Sequence, residues 1–166
     1  FVIVGMLFTY GVLMTELEKE FGWSRTVLSS IGAAGWLAWG IFAIPGGYLN
    51  DRLGPKIVLG VNGFIFGIGF ILFSKSSEIW HLFLIFIFFI GTGLSTHDIS
   101  TLSTIAKWFE SKRGLVTSIA KIGTAMGQMV MPPLIAFLIV SFEWRMATFY
   151  LGIAASIGLV FAASLM

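Results

Sequence analysis

Two ionisable residues, Asp98 and Lys121, interrupt stretches of sequence that are otherwise apolar. Asp98 lies nine residues before Lys107, and Lys121 eight residues after Arg113. On helices rising 1.5 Å per residue, each sits roughly 12–13 Å in from the charged turn between them. A charge at that depth in a bilayer costs about 2.5–3.5 kcal/mol, so it must face a partner, water or cargo. Asp98 is 11 residues before Phe109 and Lys121 is 11 residues after Glu110. In an antiparallel hairpin that symmetry puts both at one height, where an ion pair lifts most of the cost from each. The ammonium can offer its charge to an anion, the carboxylate can take up and release a proton, or the bridge can simply fix the hairpin. A bridge that breaks on substrate binding combines these roles. His97, the neighbour of Asp98, changes charge near neutral pH and suits a proton relay. On a regular helix it points about 100° away from Asp98, which also suits a histidine bonded to a neighbouring helix.

The surrounding elements follow from composition. Hydrophobic residues make up 57% of the 166, charged residues 11%, and the mean hydropathy is +0.97; a water-soluble domain of this size needs more polar surface. The chain is therefore an integral, multi-pass membrane protein. Its apolar residues come in runs of about 20, so the spans are helices and not barrel strands. The fold class is all-α, a bundle of six transmembrane helices over about 1–14, 26–49, 56–73, 79–106, 114–140 and 144–166. The first run is too short for a ~30 Å core, and neither Met nor a basic flank precedes it, so the chain is expected to begin inside a helix and not with a signal peptide. Ser24 is the expected N-cap of the second span, and Pro45-Gly46-Gly47 loosens its last turns. Short connections make consecutive helices antiparallel neighbours.

Other residue types exclude more than they assign. A net charge of +2 gives no reason for nucleic-acid binding, and the absence of Cys removes disulfides and thiolate metal sites. With no paired His at helical spacing, neither metal nor cofactor is expected. Ser95 or Ser100 with His97 and Asp98 could not form a hydrolase triad, because neighbours on one helix point in different directions, and no Gly-x-Ser-x-Gly elbow is present. An enzyme, a channel and a scaffolding bundle are thus the lesser readings. Asn62 is expected to hydrogen-bond between helices. Trp80 and His81 read as interfacial, and Glu16, Glu18 and Glu20 as a solvated acidic turn.

The segment Gly47-Tyr48-Leu49-Asn50-Asp51-Arg52-Leu53-Gly54-Pro55-Lys56 resembles the signature turn of the major facilitator superfamily of transporters. There the pattern is Gly, three residues, Asp-Arg, one residue, Gly and a nearby basic residue, between the second and third spans. Leu53 and Pro55 depart from it, standing where many members have basic residues. Glu20-Phe21-Gly22-Trp23-Ser24-Arg25 and Trp108-Phe109-Glu110-Ser111-Lys112-Arg113-Gly114 are similar to turns of monocarboxylate-transporter-like members, a branch that the Asp-Arg turn also resembles along with the oxalate/formate exchangers. Gly123, Gly127 and Pro132-Pro133 follow at that branch's spacing, and Trp144-Arg145 sits where Gly-Trp-Arg opens the sixth span.

The resemblance implies one six-helix half of a twelve-helix fold, with substrate held near the midplane between halves that rock. Only the first half is represented, so the chain is expected to be a fragment or a half-sized subunit that pairs with another. The basic residues of the turns, five against four, lean only slightly toward a cytoplasmic Asp51-Arg52 turn, and the resemblance places it there. It also implies a latch, in which Gly47, Asp51, Arg52, Gly54 and Lys56 engage the N-terminus of a helix in the other half. Tyr10 is expected to line the cavity or to pack. Lys121 belongs to a polar stripe with Gly114, Thr117, Thr124 and Gln128, at the spacing of one helix face, turned toward the cavity or the other half. The small row Ala120, Gly123, Gly127 would permit close helix packing. The implied function is secondary active transport of a small organic anion, such as a monocarboxylate, by exchange or with protons, in the cell membrane; a sugar, drug or aromatic solute is the alternative.

Overall fold

The computed structural model describes residues 1–108 and 112–165, the side chain of Arg113 excepted. Residues 109–111 of the expected junction and residue 166 of the expected last span lie outside the described residues. Among the described residues every regular element is helical: α1 (Val2–Phe21), α2 (Arg25–Leu53), α3 (Pro55–Ser74), α4 (Ile79–Leu84), a π-helical stretch (Ile85–Gly91), α5 (Thr92–Ser95), α6 (His97–Trp108) and α7 (Arg113–Ser164). Four helical segments, Arg25–Leu53, Pro55–Ser74, Ile79–Trp108 and Gly114–Ser164, are long and apolar enough to cross a membrane.

Helix ends follow local chemistry. α1 extends seven residues beyond the expected boundary at residue 14, because backbone hydrogen bonding continues through Glu16, Glu18, Lys19 and Glu20 after the apolar run has ended. It stops at Gly22, whose φ of 68° is open to glycine. The Ser24 hydroxyl accepts from the Val27 N–H at 3.4 Å and starts α2. Gly54, at φ 83°, turns the chain into Pro55, which has no N–H to leave unsatisfied at the first position of α3.

The segment Ile79–Trp108 is not the uniform α-helix expected. Its second quarter is π-helical, and Thr96 departs from helical values at φ −115° and ψ −4°. Small residues of α2 seat it closely: Gly35 faces Phe86, Ala38 faces Gly91, and Gly46 faces Thr96.

At 52 residues α7 would measure about 78 Å if straight, far beyond a ~30 Å hydrocarbon core. It is broken at Glu143, at φ 66° and ψ 157°, and doubles back. Its first arm runs alongside α1, where Gly5 meets Gly127 and Met131. Its second arm runs opposite to α3, with Gly67 against Gly152 and Ser156, Gly63 against Leu159, and Lys56 Nζ donating to the Ser164 carbonyl at 2.8 Å. Phe66, Phe70, Phe73, Phe86 and Trp144 form the core where these elements meet. The expected small row is corrected in part. Gly127 touches the backbone of Phe1, but nothing lies within 4 Å of where a side chain on Gly123 would begin.

Candidate functional site

Polar bonds from two helices fix α6. Asn50, buried near the end of α2, accepts from Ser100 Oγ at 2.8 Å and donates to Ser103 Oγ at 3.3 Å. Asn62 of α3 donates to the fully buried Thr96 hydroxyl, an interhelical bond of the kind expected of it. Asn50 escaped the sequence reading because it stands next to Asp51-Arg52, where one more polar residue gives no signal of burial.

So held, α6 turns Asp98 toward the first arm of α7. Lys121 Nζ lies 2.6 Å from Asp98 Oδ1, a charge-assisted hydrogen bond that joins the two helices. The side chains remain 49% and 39% exposed, so the bridge sits at an open face and not inside the bundle. His97 does not point away from it as a regular helix predicted. Its Nε2 is 3.6 Å from Asp98 Oδ1, its Nδ1 is 2.9 Å from the Leu94 carbonyl, and its ring centroid is 6.3 Å from that of Trp39. The nonhelical backbone at Thr96, just before it, removes the premise of uniform side-chain directions. Among the described residues, His97 Nε2 is buried without a hydrogen-bond partner. The ring's one hydrogen bond runs to Leu94 of α5, just before it in the same membrane-crossing segment, and not to a neighbouring span.

Thr124 and Gln128, one and two turns beyond Lys121, are half-buried on the same arm. Tyr10 is buried; its hydroxyl donates to the Leu28 carbonyl at 2.7 Å and its ring packs at a tilt against Phe86, with centroids 4.5 Å apart. The ring still forms part of an open apolar groove with Phe8, Gly11, Gly32 and Trp36, between α1 and α2.

The turn residues lie together at the α2–α3 junction. Asp51 and Arg52 are exposed, with the Arg52 guanidinium 4.5 Å over the Tyr48 ring. Gly47 is in ordinary contact range of Ile99. Lys56 is tied to the end of α7 by its bond to Ser164.

At the opposite end the acidic residues are not merely a solvated face. Glu16 pairs with Lys19, and Glu18 with Arg25. Glu20 accepts from the Trp144 indole and from Arg145 Nη2 at 2.9 Å, while Arg145 Nη1 donates to the carbonyls of Ser74 and Ser76 at 3.0 and 3.1 Å. Burial pushes the Glu20 carboxyl up, but the bonds from Trp144 and Arg145 and the charge of Arg145 outweigh it and hold the carboxyl below its ordinary value. The cluster joins the ends of α1 and α3 to the start of the second arm of α7. Trp80 is exposed, with its ring beside that of His81.

The model of the Major Facilitator Superfamily matches residues 1–166, the whole chain. The chain belongs to the Major Facilitator Superfamily. Membership agrees with the long apolar helices of a multi-pass membrane protein. Monocarboxylate transporter 13 of Rattus norvegicus is 27% identical over 144 residues, covering 86% of this chain and 33% of the relative. The Agnestins efflux protein AgnL12 of Paecilomyces divaricatus is 29% identical over 160 residues, 90% of this chain and 36% of its own length. Monocarboxylate transporter 14 of Mus musculus is 26% identical over 167 residues, 99% and 32% respectively. The chain thus spans about a third of the length of the curated relatives it matches.

Proposed function

We propose that this Major Facilitator chain is the N-terminal six-helix half of a secondary active transporter for a small organic anion, such as a monocarboxylate, working by proton coupling or exchange. The two arms of α7 would be its fifth and sixth spans, reversed at Glu143. A second six-helix half, on the same polypeptide or on another subunit, would close over the face that carries Lys121, Thr124 and Gln128. Substrate would lie between the halves, the cell membrane would be the setting, and the Gly47–Lys56 turn would latch the cytoplasmic side. The names of two of the relatives support a monocarboxylate, whereas the name of the efflux protein keeps a solute of another class as the second reading.

The observation that carries this proposal is the half-exposed Lys121–Asp98 bridge. An ammonium placed on a bilayer-depth face, neutralised by a carboxylate that it can exchange for another, is what capture of a carboxylate requires. The bridge cancels the insertion cost of both ions while the site is empty. Substrate arriving at Lys121 displaces Asp98, and a proton taken up at this cluster, on Asp98 or on His97 beside it, restores neutrality. The test is uptake of radiolabelled lactate by the complete transporter in proteoliposomes, with and without an imposed pH gradient. Lys121→Ala should abolish uptake and Asp98→Asn should remove its pH dependence; unchanged uptake and pH response in both would reduce the bridge to a structural fastener.

A further inference from the structure

His97 is set up to hold the coupled proton itself, and the reason lies in its tautomer. Nδ1 lies 2.9 Å from the Leu94 carbonyl oxygen, which only accepts, so the neutral ring keeps its hydrogen on Nδ1. Nε2 is then a bare lone pair, buried, without a hydrogen-bond partner, and 3.6 Å from the carboxylate oxygen of Asp98 that Lys121 holds. Acceptor faces acceptor, and one proton on Nε2 turns that mismatch into a charge-assisted contact.

Resting on the reading of Lys121 as the anion's anchor, we propose that His97 Nε2 is the proton-binding atom and that Asp98 stays ionised, passing from Lys121 to the imidazolium so that the ammonium is released for the substrate carboxylate. The electrostatic sum supports this order. With His97 neutral, Asp98 and Lys121 cancel. With His97 protonated, the cluster carries one net positive charge, which a monoanion at Lys121 cancels again. Empty and fully loaded sites are neutral, while proton alone or anion alone leaves a net charge that becomes costly once the second half covers this open face. One proton therefore travels with one monoanion, bound through the Nε2 lone pair on one side and returned to water on the other.

The neighbours do not compete for this role. Among the described residues, the ion pairs around His97 involve only Asp98 on its own segment and, through Asp98, Lys121 from α7. From α2 it meets the indole of Trp39. Asn62 from α3 reaches Thr96, next to His97, and both are neutral.

The experiment compares His97→Gln with the parent in the complete transporter, reconstituted in vesicles, with radiolabelled lactate. Parent uptake should rise about tenfold as the external pH falls through two units around neutrality, while His97→Gln should show a flat profile. A parental pH profile in His97→Gln overturns the proposal. Lys121→Ala with parental lactate affinity would instead sink the anion-anchor reading, which makes the two failures distinct. A second measurement needs neither transport nor a folded His97 variant. Imidazolium quenches a nearby indole, so the difference in tryptophan emission between parent and Trp39→Phe should titrate with pH, and a pH-independent difference likewise overturns the proposal.

Discussion

Replacing both partners of the Asp98–Lys121 bridge, singly and together, measures whether the contact is an ion pair that supports the hairpin. Unit charges 2.6 Å apart attract by about 6 kcal/mol at an effective dielectric of 20 and about 1.6 kcal/mol at 80. With exposures of 49% and 39%, solvent screening pulls the pair toward the lower figure. A coupling energy of about 1–2 kcal/mol is therefore expected from Asp98→Asn, Lys121→Gln and the double variant. Purified protein in a neutral detergent, unfolded by heat or denaturant, provides the four midpoints. Each single variant leaves one charge without its partner, so the double variant should lose less stability than the two singles summed. The coupling should shrink as salt rises, because exposed charges are screened over about 10 Å at 0.1 M. Additivity of the two changes within about 0.3–0.5 kcal/mol at low salt would refute the reasoning, since contacting ions cannot be thermodynamically independent.

The reversal in α7 and the cluster beside it supply two more tests. Glu143 holds φ 66° and ψ 157°, a region open in practice only to glycine and costing about 1–3 kcal/mol for other residues. Glu143→Gly should raise the thermal unfolding midpoint, with a gain of about 0.5–2 kcal/mol in stability after glycine's extra unfolded-state freedom is subtracted, and a lowered midpoint would contradict the strain. Glu20 has a depressed folded pKa, so its contribution to stability is present above the unfolded carboxylate's range and lost as pH falls through the folded value. The stability difference between the parent and Glu20→Gln should accordingly be widest near neutral pH and narrow below the ordinary glutamate value of 4.5; a difference independent of pH would disprove the linkage.

Periodicity served well where the backbone stayed regular. Asp98 and Lys121 stand equally far from the turn that joins their helices, and that arithmetic put them at one height before any packing was considered. His97 shows where the method fails. A fixed 100° step holds only on an unbroken α-helix, and Thr96 breaks it. The same limit concealed the π-helical stretch, because Ile-Phe-Ile-Phe-Phe-Ile-Gly reads equally well as ordinary apolar helix. Glu20, at the end of α1, was misread for a different reason. Arg145 and Trp144 lie more than a hundred residues away, and no local pattern announces a partner at that separation.

The sequence by itself determined the solvent, the helical class and the family, because length of apolar run, charge content and short turn motifs are properties of neighbouring residues. It also put Asp98 and Lys121 at one height, since height is only rise per residue counted from a polar turn. The tertiary structure alone decided which groups meet: Asn50 with Ser100, Glu20 with Arg145, and His97 with the carboxylate held by Lys121. Those contacts depend on how helices rotate and approach one another, and that is fixed by glycine-lined crossings and buried hydrogen bonds between segments distant in the chain.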